Sequence, residues 1–317
     1  MRAIAHYVCP MRARLIAAFA AVYIVWGSTY LAIRFAVETL PPLLMAGVRF
    51  LTAGLILLVW SRFRRPNARP TRVDWKTGLI SGALLLLGGN GGVVWAEQRV
   101  PSGIAALLVA VVPLWMVLLD WMRPEGRRPP ALVFVGLGLG LAGLALLIGP
   151  DAFDGQGSVS IAGAVTLVLA SLAWAAGSLY TKYAPRASSG LNGAATQMIA
   201  GGLCLVFAAT VAGELSTMDL AHASTRSILG FFYLVTFGSL VGFTAYVYLL
   251  AHTTAAKAAT YAYVNPVVAV ALGWTFANEP VTRRTLLAAA VILAGVAIIT
   301  AARDRHVEVP QKENAVA

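Results

Sequence analysis

Acidic residues are scarce: 13 Asp and Glu stand against 24 Lys and Arg in 317 residues, and all charged residues together make up 12%. A soluble globular domain carries about 25%, so a water-facing surface cannot be assembled from this chain. Cysteine is nearly missing. Cys9 and Cys204 lie far apart and match neither a disulfide framework nor a metal-ligand spacing. The four histidines, His6, His222, His252 and His306, all fall in tails or loops between apolar runs. No HExxH, no GxSxG and no mid-span aspartate pair occurs, which argues against a membrane-embedded hydrolase or metalloenzyme. What is abundant is apolar surface: 59% of residues are hydrophobic, with a mean hydropathy of +0.77. The chain reads as an all-α integral membrane protein. The net charge of +11 does not point to nucleic acid, because the basic residues are dispersed in short loops rather than gathered on one face.

Ten apolar segments are long enough to be spans: Leu15–Ala36, Leu43–Trp60, Thr77–Ala96, Gly103–Trp121, Ala131–Ile148, Val159–Tyr180, Asn192–Ala212, Ile228–Leu250, Ala258–Ala277 and Leu286–Ala302. The basic start before the first segment resembles a signal peptide. That run continues to about Ala36, close to the ~20 residues a span needs, and is read as an uncleaved first helix. With the N-terminus in the cytoplasm, most of the basic residues fall in cytoplasmic loops and tails. Only Arg34, Arg99, Arg226, Arg283 and Arg284 fall in the loops outside. Both termini are therefore expected in the cytoplasm.

The two halves echo one another. Trp26 opens WGSTY in the first span and Trp174 opens WAAGSLY in the sixth, 148 positions on. Arg49 in RFLTAGLILL and Gln197 in QMIAGGLCLV are separated by the same 148. Pro113 in AALLVAVVPLW answers Pro266 in AATYAYVNPVV, and LAGLALLI answers LAGVAIIT. Five spans per half is an odd number, so the second copy lies upside down. The expectation is two inverted five-helix repeats, 15–149 and 159–302, around a central cavity, with a cytoplasmic tail over 303–317. Secondary transporters recur to this plan, with substrate near the midplane.

The segments WGSTYLAIR, PPLLMAGVRFLTAG, AEQRVPSGIAALLVAVVPL and ATYAYVNPVVAVALG followed by NEP resemble the EamA branch of the drug/metabolite transporter superfamily. The resemblance covers nearly all of the chain outside its termini. It is closest to bacterial inner-membrane exporters of amino acids and related metabolites. It implies ten helices in two inverted repeats, efflux of a small-molecule substrate by alternating access, no cofactor and a multi-pass place in the inner membrane as a monomer or homodimer.

Candidate residues follow from the cost of polar groups in hydrocarbon. Tyr261 and Asn265 share one face of the ninth span and suit a small zwitterion with an apolar side chain, or equally a helix–helix hydrogen bond. Trp26 lies too deep for an interfacial belt and its indole N–H needs a partner or a wet cavity, and Trp174 is its counterpart in the second half. With Ser28, Tyr30 and Ser178 they make the expected cavity wall, and Asn90 either joins it or glues helices together. Gly88 and Gly92 flank Asn90 as a small-xxx-small pair for close packing. Arg49 is the one strong charge inside a span. Its counterpart Gln197 favours a structural clamp over a substrate ligand. Pro113 and Pro266 each remove an intrahelical hydrogen bond and are expected hinges.

No carboxylate occupies a mid-span position, which favours facilitated export over proton antiport; Glu97, at a span end, is the candidate for coupling. Glu279 is expected to pair with Arg283 and Arg284. A nucleotide-sugar or sugar-phosphate carrier of the same fold is the competing substrate class, but such dianions call for more buried cations than Arg49 alone. A channel lacks any visible filter repeat or charged ring.

Overall fold

The computed structural model describes residues 2–64, 69–124, 126, 128, 130–148, 160–185, 190–253 and 255–307. The side chains of Cys9 and Tyr263, the repeat boundaries at 149 and 159, and the tail beyond 307 lie outside what is described.

Ten helical rods run through the described residues, consistent with the ten apolar segments. They are α1 (Arg2–Ala36), α2 (Pro42–Arg64), α3 (Arg72–Ala96), α4 (Ser102–Trp121), α5 (Ala131–Ile148), α6 (Ile161–Tyr183), α7 (Gly190–Val211), α8 (Thr225–His252), α9 (Tyr261–Ala277) and α10 (Arg283–Val307). By length and composition seven of them can cross a membrane, and Ala131–Gly140 and Val264–Ala277 form shorter apolar stretches. A single turn, Ala255–Ala258, precedes α9. Helix is forced on such segments because lipid offers the backbone no hydrogen-bond partner.

Helix contacts come in matching sets. α1 lies along α8 as α6 lies along α3. α1 meets α9 as α6 meets α4, and α3 meets α7 as α8 meets α2. Two pairings are their own match, α2 with α7 and α5 with α10. Glycine makes these crossings close. A Cβ at Gly82 would stand 2.6 Å from the Gln197 carbonyl oxygen, and one at Gly201 2.7 Å from the Gly82 carbonyl oxygen, so α3 and α7 touch backbone to backbone. On the α3–α6 side, Gly88 faces Ala173 and Gly92 faces Ala170, as the small-xxx-small spacing predicts.

Two features depart from regular helix. α3 is π-helical over Ala83–Gly91 and α8 over Leu234–Phe243. α4 is interrupted: one helix ends at Val109 and the next starts at Val112. Pro113 sits in the first turn of that second piece, where a missing N–H costs nothing. It therefore begins a helix rather than bending a continuous one. Pro266, by contrast, lies inside α9.

Candidate functional site

A small cavity of about 70 Å³ lies at the centre of the bundle, lined by Trp26, Tyr30, Arg49, Asn90, Trp174, Tyr261 and Asn265 among others. The aromatic rings form its wall. Trp26 meets Trp174 edge-on at 5.4 Å and Tyr261 at 5.3 Å between centroids, and Tyr246 packs 4.9 Å from Trp26 and 5.6 Å from Trp174. Edge-to-face pairing of this kind holds rings in one arrangement.

The π segment of α8 positions two of the polar groups. Trp26 Nε1 donates to the Gly238 carbonyl at 3.1 Å, and Gly242 lacks the Cβ that would strike the indole edge. Arg49, 3% exposed, donates from Nε to Ser239 Oγ at 2.8 Å and lies 4.5 Å over the Phe50 ring. On the opposite side the π segment of α3 presents Gly89 to the Trp174 ring. The π conformation frees backbone carbonyls from the usual ladder, and such segments recur at functional sites.

Two polar atoms around this cavity are buried without a hydrogen-bond partner, Arg49 Nη1 and Asn90 Oδ1, whereas Trp174 Nε1 lies against the hydroxyls of Tyr246 and Tyr261. One donates and one accepts. Buried polar groups are otherwise almost always paired, so the two point to a guest with complementary groups.

Not every expected residue reaches the cavity. Ser28 is occupied elsewhere, hydrogen-bonded to Tyr233 Oη at 2.6 Å and donating to the Val25 carbonyl. Ser178 stands behind the wall, bonded to Tyr246 Oη at 2.6 Å and donating to the Trp174 carbonyl. A helical serine readily returns its hydroxyl to the preceding turn, and both do so. Asn265 does line the cavity, and its amide, turned so that the nitrogen meets the two acceptors around it, donates to the carbonyls of Tyr23 (3.1 Å) and Tyr261 (3.2 Å), joining α9 to α1. Gln197 is absent from the centre, and Nε2 donates to Thr181 Oγ1 at 3.2 Å. Arg49 donates through Nε to Ser239, while its Nη1 has no hydrogen-bond partner. Tyr246 and Ser239 were not anticipated. Phe243 and Tyr246 follow Ser239 by four and seven residues, but the π segment Leu234–Phe243 shifts the phase between them, so an α-helical wheel would not have found them.

The two ends of the bundle differ. At the arginine-rich end a vestibule of about 620 Å³ is lined by Arg14, Arg64, Thr181, Gln197, Thr244 and His252 among others. At the other end the helices are tied shut. Ser102 N and Oγ donate to Glu279 Oε1 at 2.8 and 2.7 Å, and Gly103 N donates to Oε2 at 3.1 Å. This corrects the expected pairing of Glu279 with Arg283 and Arg284: the start of α4 offers three N–H or O–H donors and a favourable helix dipole. Arg34 donates to the main-chain oxygen of Glu97 at 3.0 Å, and Arg226 donates to the Phe276 carbonyl at 3.0 Å while facing Glu38.

Gly273 leaves the room Glu279 needs, since a Cβ there would strike its carboxylate. Gly273→Ala is therefore expected to displace the carboxylate and cost about 1–3 kcal/mol, the range for losing a charge-assisted hydrogen bond. A lowered thermal midpoint in detergent would register it, and an unchanged midpoint would show that the tie contributes nothing.

An all-helical bundle with a small polar-lined centre and one open end is the architecture of a membrane transporter rather than of a soluble binding protein. The family model described as the EamA-like transporter family matches residues 13–149 and again 161–301. The chain belongs to that family. It is 42% identical over 287 residues to the inner membrane transporter YedA of Escherichia coli, described as uncharacterized, with 90% of each chain covered. It is 25% identical over 289 residues to the uncharacterized transporter YvbV of Bacillus subtilis, covering 91% of each. A solved crystal structure superposes with a TM-score of 0.63 at 18% identity, over 92% of this chain and 98% of the other, which shows a shared fold.

Proposed function

We propose that this membrane transporter exports neutral or aromatic amino acids, or closely related small metabolites, from the cytoplasm by facilitated alternating access. The carrying observation is the pair of unpartnered atoms, Arg49 Nη1 and Asn90 Oδ1, in an aromatic cavity. A carboxylate suits Arg49 Nη1, an ammonium suits Asn90 Oδ1, and the rings accept an apolar side chain. A phosphate-bearing solute fits less well, because Arg49 is the only cation among the described residues that line the cavity.

The two family matches and the matching helix contacts support a reading of the halves as inverted repeats. In this reading the vestibule is the cytoplasmic mouth and the tied end faces outward. Ligand pockets commonly measure about 300–1,000 Å³. The vestibule falls in that range and the centre does not, so solute enters the vestibule first and the centre widens to receive it. The π segments and Pro266 are the places where helices can bend as it does. Pro113 marks the break in α4 and can serve as the fourth joint.

The test is flux of a panel of labelled amino acids in proteoliposomes, with and without a pH gradient. Saturable flux whose final distribution ignores the gradient is expected. No flux of any amino acid would overturn the substrate assignment, and accumulation driven by the gradient would overturn the facilitated mode.

A further inference from the structure

Glu97 stands in the turn between α3 and α4, at the tied end, and is 0% exposed. Neither carboxylate oxygen has a hydrogen-bond partner. Arg34 reaches only its main-chain oxygen. The titratable and charged groups facing it are Tyr30 and Arg34 from α1 and Glu279 from the connection after α9. Arg99, in its own turn, instead stacks 3.8 Å over Trp95 and donates to the Trp95 carbonyl. α6 meets this turn through Gly163 against Val100, and α2 meets the end of α3 through the apolar Leu43.

A bare carboxylate buried beside a second one is the least favourable state for such a group. Glu279 is the neighbour, and its charge already holds the start of α4. Burial pushes the Glu97 carboxyl well above the usual carboxylate range, Glu279 pushes it further, and Arg34 opposes them. The neutral acid is the form that the shut end accommodates.

We propose that Glu97 is a proton-binding site that controls the tied end: neutral while that end is shut, ionised once it opens to water. The proton enters and leaves on one side, so none crosses the membrane and flux stays non-concentrative. The role rests on the transport reading only for its consequence, that acidity on this face holds the protein open towards the vestibule. The sign follows from linkage. A carboxyl raised in the shut state favours that state below its raised value, and the preference is lost as pH climbs through it.

Accessibility of Val100, 2% exposed in the shut end, reports opening without any substrate. In full-length protein with Cys9 and Cys204 replaced by serine, Val100→Cys is alkylated with a membrane-impermeant maleimide. Its rate is divided by that of Met218→Cys, exposed at the same end. The ratio is expected to fall by at least about threefold from about pH 8 to about pH 5.5, as titration of one carboxyl requires. Glu97→Gln is expected to give a low ratio at every pH. A flat ratio in the parent, or the same pH dependence in Glu97→Gln, would overturn the assignment. Where Glu97→Gln does not fold, infrared spectra of the parent decide: a buried carboxylic-acid carbonyl band should fade as the ratio rises, and its absence at low pH would be decisive against it. An intact labelling switch without amino-acid flux would fail the transport reading alone.

Discussion

Arg49→Leu is expected to reduce flux by about 10–100-fold in protein that still folds, the equivalent of losing one charged hydrogen bond to a guest. Arg49, which lines the cavity, has committed Nε to Ser239 and its planar face to Phe50, leaving Nη1 without a hydrogen-bond partner. Leucine fills the volume and removes the charge, so no uncompensated ion is left behind. Arg49→Lys is not expected to restore flux, because an ammonium cannot hold Ser239 and reach the cavity at once. Flux in proteoliposomes, with size-exclusion profiles as the check on folding, separates the outcomes. Normal flux in folded Arg49→Leu would reduce Arg49 to a clamp.

The second large effect concerns folding. Gly201→Leu is expected to cost about 3 kcal/mol or more, the upper range for overpacking, which is a large fraction of a typical total stability of about 5–15 kcal/mol. The obstacles to its Cβ are the Gly82 carbonyl oxygen at 2.7 Å and the Leu86 Cβ at 2.8 Å, and backbone cannot step aside as a flexible side chain does. Gly138→Leu is the control, because nothing lies within 4 Å of a Cβ there. Thermal midpoints in detergent should separate the two variants widely. Equal midpoints would mean that the α3–α7 crossing is not as close as described.

Hydropathy made the helices legible because a span must be apolar along its length, and the echo of Trp26 in Trp174 located the aromatic wall. Elsewhere local patterns were insufficient. Glu279 is 177 residues from Ser102, so its partner is set by how α9 ends over α4. Glu97 stood out as the candidate coupling residue at a span end, but its burial was not legible, because only the packing of α1 and Glu279 around it removes it from water. Ser28 and Ser178 carried the right chemistry at the right depth, but rotation about each helix axis sends them to Tyr233 and Tyr246. The π segments were hidden for another reason. A glycine-rich apolar run has the same composition whether it winds with four or five residues per bond.

That winding has its own consequence for α3 and α8. Consecutive residues of an α-helix are ~100° apart around the axis, so each residue added in a π stretch shifts the phase of everything beyond it. A single rod can thereby serve two masters. The first part of α3 presents Gly78 and Gly82 to α7, and its last part presents Gly88 and Gly92 to α6. In α8, Gly230 meets α1 before the stretch and Tyr246 meets Ser178 of α6 after it. Any helical-wheel projection drawn straight through Ala83–Gly91 or Leu234–Phe243 will merge faces that the molecule keeps apart.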